Sequence, residues 1–306
     1  MMRRSLPFLL LTALPALFML PAVSAQEQPL SPALASLVAA ERAFARLSVE
    51  QGVRAAFMTY FAEDGINFQP HPTNTKEAYR KRPAPTAPQP FTLDWFPIYA
   101  DVSRAGDLGY TTGPYAITPL APQTRPTQHG YYFSVWQKQA DGSWKVVVDL
   151  GISTPAPSPD APAPAFQQPR KLGGDLAPAQ SKFDSTQAEL LAADRALLQA
   201  ERARGVAAAL PAAMIEEARL HRNDMFPIVG RRAISAYLKG RQAHVNGVPM
   251  KAATATSGDL GYTYGSYELR AAATQEKGYY VRVWKRVGNK WRVALDTASP
   301  LPPDAK

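Results

Sequence analysis

The sequence predicts an α+β fold in two similar copies, each a curved antiparallel sheet with its helices gathered on one side. Three observations carry this. First, Gly106-Asp107-Leu108-Gly109-Tyr110-Thr111-Thr112-Gly113-Pro114-Tyr115 returns as Gly258-Asp259-Leu260-Gly261-Tyr262-Thr263-Tyr264-Gly265-Ser266-Tyr267, with eight of ten positions identical. Second, Gly130-Tyr131-Tyr132 with Trp136 returns as Gly278-Tyr279-Tyr280 with Trp284, and Trp144-Lys145-Val146 through Asp149 returns as Trp291-Arg292-Val293 through Asp296. The separations are 152, 148 and 147 residues, so the copies differ by short gaps that belong in loops. Third, a proline-rich stretch divides them.

In the first copy, 31–152, Ser31 is placed to cap a helix with Pro32 at its first position. Leu34, Leu37, Val38, Glu41, Phe44, Ala45 and Leu47 follow helical spacing and put an apolar stripe on one side. Gly52 breaks that helix, and a shorter one runs from Val53 to Ala62. Asp64-Gly65 turns into a short strand, Ile66-Asn67-Phe68, followed by a small helix near 76–81. Four long strands are expected at 91–104, 107–118, 130–139 and 143–152, with a tight hairpin at Asp141-Gly142. The second copy, 185–300, repeats the order: helix 190–204, break at Gly205, helix 206–215, strand 219–221, small helix 231–239 and four strands, with Gly288-Asn289 at the matching hairpin. Residues 153–184 read as a semi-rigid linker of extended polyproline conformation.

The first 25 residues predict an export signal. Arg3 and Arg4 precede the apolar stretch Leu6 to Leu20, and Ala22-Val23-Ser24-Ala25 offers small residues for cleavage. The apolar run is short of the roughly 20 residues of a spanning helix and is interrupted by prolines. No later segment is apolar enough to span, so no integral membrane segment is expected after cleavage. The chain has no cysteine, hence no disulfide framework. The expected product is soluble, in a bacterial periplasm or outside the cell. The formal charge is +9. Residues 31–152 hold eleven Lys/Arg against ten Asp/Glu, while 185–300 hold seventeen against ten. The excess reads as a solvated basic face or an attraction to anions. Export and the lack of a recognition motif argue against a nucleic-acid partner.

Ala39-Ala40-Glu41-Arg42-Ala43-Phe44, Gly52-Val53-Arg54-Ala55-Ala56-Phe57, Ala62-Glu63-Asp64, the Gly106 to Tyr110 turn, Tyr132 to Trp136 and Gly142-Ser143-Trp144-Lys145 together resemble the nuclear transport factor 2-like superfamily, in its SnoaL-like, domain of unknown function 4440 branch. Asp194-Arg195-Ala196, Gly205 to Ala209, Gly258 to Tyr262 and Trp284 to Trp291 carry the same resemblance in the second copy. It implies two cone-shaped, cystatin-like domains, each with a pocket between sheet and helices, and frequent pairing through the sheets. It does not imply one activity.

Strand alternation sets Trp144, Val146, Val148 and Leu150 on one face and Lys145, Val147 and Asp149 on the other. Tyr132 with Trp136, and Tyr280 with Trp284, each share a face. They line a pocket or bury a sheet-to-sheet contact, and the contact is favoured, giving an intrachain pair that imitates a homodimer. Asp149 and Asp296 hold equivalent places and are the candidate proton-handling groups; a strand-end carboxylate paired with arginine is the plainer alternative. Asp107 and Asp259 read as turn residues bonding local backbone. His221 stands on the first strand of the second copy, where it can face the cone as acid or base.

Enzymes of the superfamily give no transferable site. The ketosteroid isomerase pattern needs a tyrosine on the first helix, and neither 31–50 nor 187–204 contains one. The Asp-Arg-Asp set of limonene-epoxide hydrolases would need Arg104, which lies at a turn, and the second copy has no counterpart of Asp94. The four histidines show no metal-ligand spacing, and there is no phosphate-cradling loop, so no metal or cofactor is expected. Three readings follow. One is a binder of a small apolar molecule or an interaction module. Another is an acid-base isomerase, cyclase or hydratase on a hydrophobic substrate. The third is a pair in which one copy only supports the other.

Overall fold

The computed structural model describes residues 29–83, 86–169, 183–271 and 274–302. The expected leader, 1–25, and residues 170–182 of the expected linker lie outside them. The first half runs α1 (Pro32–Gln51), α2 (Val53–Tyr60), β1 (Phe61–Phe68), β2 (Pro72–Asn74), α3 (Thr75–Lys81), β3 (Phe91–Trp95), β4 (Tyr99–Val102), β5 (Leu108–Pro119), β6 (Gln128–Lys138) and β7 (Trp144–Thr154). The second half runs α4 (Phe183–Arg204), α5 (Val206–Ala213), β8 (Met214–His221), β9 (Ile228–Val229), α6 (Arg231–Leu238), β10 (Ala243–Thr254), β11 (Leu260–Ala271), β12 (Thr274–Val287) and β13 (Lys290–Pro300). Among the described residues, no helix is long and apolar enough to cross a membrane.

Local chemistry places the helix ends. The Leu34 amide donates to Ser31 Oγ at 3.3 Å, with Pro32 next in line. Gly52 and Gly205, at φ +87° and +81°, turn the chain between the paired helices where a side chain would be strained. The sheets are separate. One has the order β2-β1-β7-β6-β5-β3, with β4 also on β5; the other has β10-β11-β12-β13-β8-β9. The last four strands of each are antiparallel neighbours, and β1 and β8 join β7 and β13 in parallel. The expected strand 91–104 is split into β3 and β4, because Pro97 lacks an amide hydrogen and breaks the ladder. Its counterpart β10 stays whole, with a register shift near Pro249.

One departure from the expected alternation matters most. The β6–β7 ladder passes from Val135↔Val148 to Trp136↔Val146, leaving Val147 as a bulge. Beyond a bulge every side chain changes face. Trp144 and Val146 pack with Phe61 and Trp136 under the helices, whereas Val148 and Leu150 join a different cluster on the outer face. Asp149 therefore shares the inner face with Trp144 and Val146, not the opposite one. The second half repeats this at Ala294, between Trp284↔Val293 and Val283↔Leu295.

The outer faces meet. Tyr110, Phe133, Val135, Val148 and Leu150 belong to the same buried cluster as Tyr262, Val281 and Val283. Each such large side chain contributes roughly 1.5–3 kcal/mol when fully removed from water. The repeated turns close one end of the contact reciprocally. Thr256 donates its amide (2.9 Å) and hydroxyl (2.6 Å) to Asp107 Oδ2, and the Arg104 amide donates to Asp259 Oδ2 at 3.1 Å. Asp107 also keeps a local bond from the Ser103 hydroxyl. Lys285 pairs with the buried Asp101 at 2.6 Å. So the outer-face residues make the contact that the Tyr132, Trp136, Tyr280 and Trp284 set was expected to make.

Candidate functional site

Tyr132 and Trp136 point inward beneath α1 and α2. There Phe44, Phe57, Tyr60, Phe61, Trp95 and Trp136 form a dense ring cluster, with Phe44 4.8 Å from Trp95 and Phe57 stacked on Phe61 at 5.0 Å. Within this wall lies Glu41, fully buried on α1. Trp95 Nε1 donates to its Oε1 at 2.6 Å; Thr111 Oγ1 and Trp136 Nε1 donate to its Oε2 at 2.5 and 2.8 Å. Burial outweighs these three donors and pushes the Glu41 carboxyl up to about 7.

Asp149 faces the same interior from β7. The Ser134 hydroxyl donates to its Oδ2 at 2.7 Å, and burial pushes its carboxyl up to about 6. It keeps part of its surface open. Asn67 pairs with it across the β1–β7 ladder and is buried with its Oδ1 unbonded. The Tyr132 hydroxyl is buried beside Thr111 without a well-formed hydrogen bond. No lysine, arginine or histidine pairs with Glu41 or Asp149 among the described residues. The first cone thus holds two carboxylates without a counter-ion and a hydroxyl and an amide oxygen with spare bonding capacity, all packed among aromatic rings.

The second cone answers the same positions differently. Arg282 opposes Asp296 on the β12–β13 ladder as Ser134 opposes Asp149. Its Nε bonds Asp296 Oδ2 at 2.7 Å, Nη1 bonds Asp194 at 3.1 Å, and Nη2 bonds both oxygens of Glu201 at 2.6 and 2.8 Å. Tyr280 donates to Asp194 at 2.6 Å, and Arg222 pairs with Asp296 at 2.5 Å. Burial alone would raise Asp296, but the two guanidiniums hold it below the usual carboxylate range. A cavity of about 50 Å³ lies beside Tyr280, Arg282 and Asp296. The indole of Trp284 donates to Thr263 at 2.9 Å. Asp296 is therefore the arginine-paired strand carboxylate, and Asp149 is not.

His221 does not enter the cone. It is buried between the halves, its ring 6.4 Å from that of Tyr131, and burial pushes it down to about 3. Neighbouring Arg219 lies over the Tyr99 ring at 3.9 Å, on the same side. Sequence reasoning missed Glu41, Asp194, Glu201 and Arg282 as site residues. The signal was present: Glu41 sits inside the apolar stripe of α1, where an unpaired carboxylate has no place on a merely structural face. Among the described residues, no group of three or more His, Asp or Glu side chains is arranged to hold a metal ion.

No family model matches the chain, and no curated protein matches it. Solved structures similar to it include an NTF2-like protein of unknown function from Shewanella oneidensis MR-1, at 14% identity and TM-score 0.31 over 36% of this chain and 96% of that one. An NTF2-like protein with a cystatin-like fold from Novosphingobium aromaticivorans is 16% identical, with TM-score 0.33 over 40% and 85%. An LEH-like epoxide hydrolase of M. tuberculosis is 15% identical, with TM-score 0.30 over 38% and 84%.

Proposed function

We propose that this is an exported tandem protein of two nuclear transport factor 2-like domains, 31–152 and 185–300, paired within one chain across the linker 153–184. In this reading the first cone binds a small, largely apolar molecule and moves a proton on it, and the second cone supports the first. One observation carries it: Glu41 and Asp149 share a buried interior with no cation, while the matching carboxylates of the second half are neutralised by Arg282. A carboxyl near 6 is mostly ionised at neutral pH yet a stronger base than an exposed aspartate, which suits general-base work. Glu41, near 7, supplies or accepts the second proton, and the Tyr132 hydroxyl is placed to bond a ligand oxygen. A paired acid and base of this kind suits isomerisation, cyclisation or hydration of a hydrophobic molecule.

The plain binding reading rests on the aromatic walls alone and leaves the raised carboxylates without a role. Two measurements test the proposal. Carboxyl-resolved NMR should show two titrations, one near 6 that is lost in Asp149→Asn and one near 7 that is lost in Glu41→Gln; an Asp149 titration below 5 would remove the base. Native mass spectrometry of protein taken from its own envelope should show a retained neutral molecule that Asp149→Asn loosens; retention by the second half alone would overturn the assignment.

A further inference from the structure

The outer face of the first sheet is not wholly covered by the second half. At its far end, Asp94, Ala116 and His129 lie side by side on β3, β5 and β6, with Phe96, Pro114 and Tyr131 in the next row. They face outward because Trp95, Tyr115 and Tyr132 face the cone. These rows form the floor of a groove of about 490 Å³. That volume lies within the range of small-molecule sites, and grooves at domain junctions commonly serve as such.

Its walls come from two other parts of the chain and are held firmly. Pro157, Pro159, Pro162 and Pro164 form one wall. This arc is anchored at both ends: it leaves β7 at Thr154, and the Gln167 amide donates to the Ile98 carbonyl at 2.7 Å. Gln167 also accepts from Arg219 of the second half at 3.2 Å. So the linker is tied down here and is not a free spacer. The opposite wall is Phe226, whose loop is pinned to the end of β7. Asn223 Oδ1 accepts from the Ser153 amide at 3.1 Å, and Asp224 Oδ1 accepts from the Ser153 hydroxyl at 2.8 Å. Phe226 stands edge-on to Tyr131 at 6.4 Å and remains 45% exposed. Phe96, across the floor, is 44% exposed.

The groove carries one carboxylate, Asp94, with His129 one strand beyond Ala116 as its other ionisable side chain apart from tyrosine. No lysine or arginine lines it, and Asp94 forms no ion pair or side-chain hydrogen bond among the described residues. Aromatic faces attract a cation, and a lone carboxylate beside them adds to that attraction. We propose that this groove is a second ligand site, distinct from the first cone, and that it takes an organic cation: a substituted ammonium on an aromatic or branched alkyl body. The ammonium sits by Asp94, and the body lies over Ala116 and Pro114 between Phe96 and the Tyr131–Phe226 pair.

The test is isothermal titration calorimetry of the full chain with benzyltrimethylammonium, benzyl alcohol and benzoate. The cation should bind measurably, the alcohol at least tenfold more weakly, and benzoate not at all. Asp94→Asn and Phe226→Ala, both at exposed side chains, should each weaken the cation about tenfold, in keeping with one lost charge or ring contact. Ala116→Leu should block the floor. Each variant is checked for an unchanged circular dichroism spectrum and melting temperature. Equal binding of cation and alcohol, or cation binding untouched by all three substitutions, would overturn the proposal, as would no binding of the cation.

Discussion

Replacing Arg282 by serine, the residue at the matching place in the first half, isolates what the buried ion network contributes. Asp194 would keep the Tyr280 hydroxyl at 2.6 Å, and Asp296 would keep Arg222 at 2.5 Å. Glu201 would lose its only hydrogen-bond partner among the described residues. It is 1% exposed and cannot hold a charge alone. It must take up a proton, and a carboxyl with an ordinary value of 4.5 pays about 1.36 kcal/mol per pH unit for this, which sets an upper bound of about 3.4 kcal/mol at pH 7 because burial already raises Glu201 in the wild type. The figure falls within the roughly 3–5 kcal/mol seen when one partner of a buried pair is removed. Against a total stability of roughly 5–15 kcal/mol, this is severe. Urea unfolding followed by circular dichroism should therefore show a deficit of up to about 3 kcal/mol at pH 7. At pH 5 the proton costs only about 0.7 kcal/mol, so the deficit should shrink. Asp296, held low in the wild type, keeps its ionised pairing across this window, since that contribution is lost only as pH falls below the usual 3.8. Adding Glu201→Gln to the variant should restore part of the loss. A deficit under 1 kcal/mol at pH 7, or one unchanged at pH 5, would refute the argument.

The first cone carries the opposite pH dependence. Glu41 and Asp149 bind protons more tightly when folded, so their contribution is full below the unfolded values of 4.5 and 3.8 and is lost as pH rises towards about 7 and 6. The difference in unfolding free energy between wild type and Asp149→Asn should accordingly turn against the wild type between pH 4 and 7; a flat difference would contradict the raised carboxyl. Ser134→Arg combined with Trp95→Gly, which clears the indole from the guanidinium's path, should transfer the second half's pairing to the first and bring Asp149 down in carboxyl NMR. If Asp149 stays near 6, the two cones are not equivalent in the way the ladders indicate. Asp107→Ala and Asp259→Ala each remove bonds across the two halves, at about 1 kcal/mol per bond. Thermal unfolding should show similar losses for the two, and a loss confined to one of them would contradict the reciprocal geometry.

Much of the fold was legible because backbone requirements leave marks in composition. Gly106 and Gly258 adopt φ +70° and +63°, and Gly142 and Gly288 adopt +83° and +57°, where other residues are strained. Gly109 and Gly261 recur because a Cβ there would lie 2.5 and 2.6 Å from Leu37 and Leu190 of the overlying helices. The bulge at Val147 was not legible. Val146-Val147-Val148 suits either face, so nothing in the run marks where alternation stops. That one extra residue moved Asp149 from the outside of the sheet to the inside, and with it the whole reading of the candidate site. The inward course of Tyr132 and Trp136 was hidden for a related reason: both faces of β6 are apolar, since one builds the cone and the other the contact between halves.

The difference between the cones comes down to few side chains on a shared scaffold. A serine opposite Asp149 can give one hydrogen bond and no charge; an arginine opposite Asp296 gives both and reaches two helix carboxylates as well. Ser48 on α1, which stands in the place of Glu201 on α4, spends its hydroxyl on the Leu93 carbonyl, so no third carboxylate enters the first cone. Trp95 occupies the ladder place held by Gly247 in the second half, and its indole reaches Glu41 where Arg282 would otherwise lie. A folding argument alone would favour the second arrangement at both places, because buried carboxylates without cations weaken a domain at neutral pH. Their persistence in the first half is explained if the raised carboxyls are used there, and if the apolar contact with a charge-balanced second half offsets their cost.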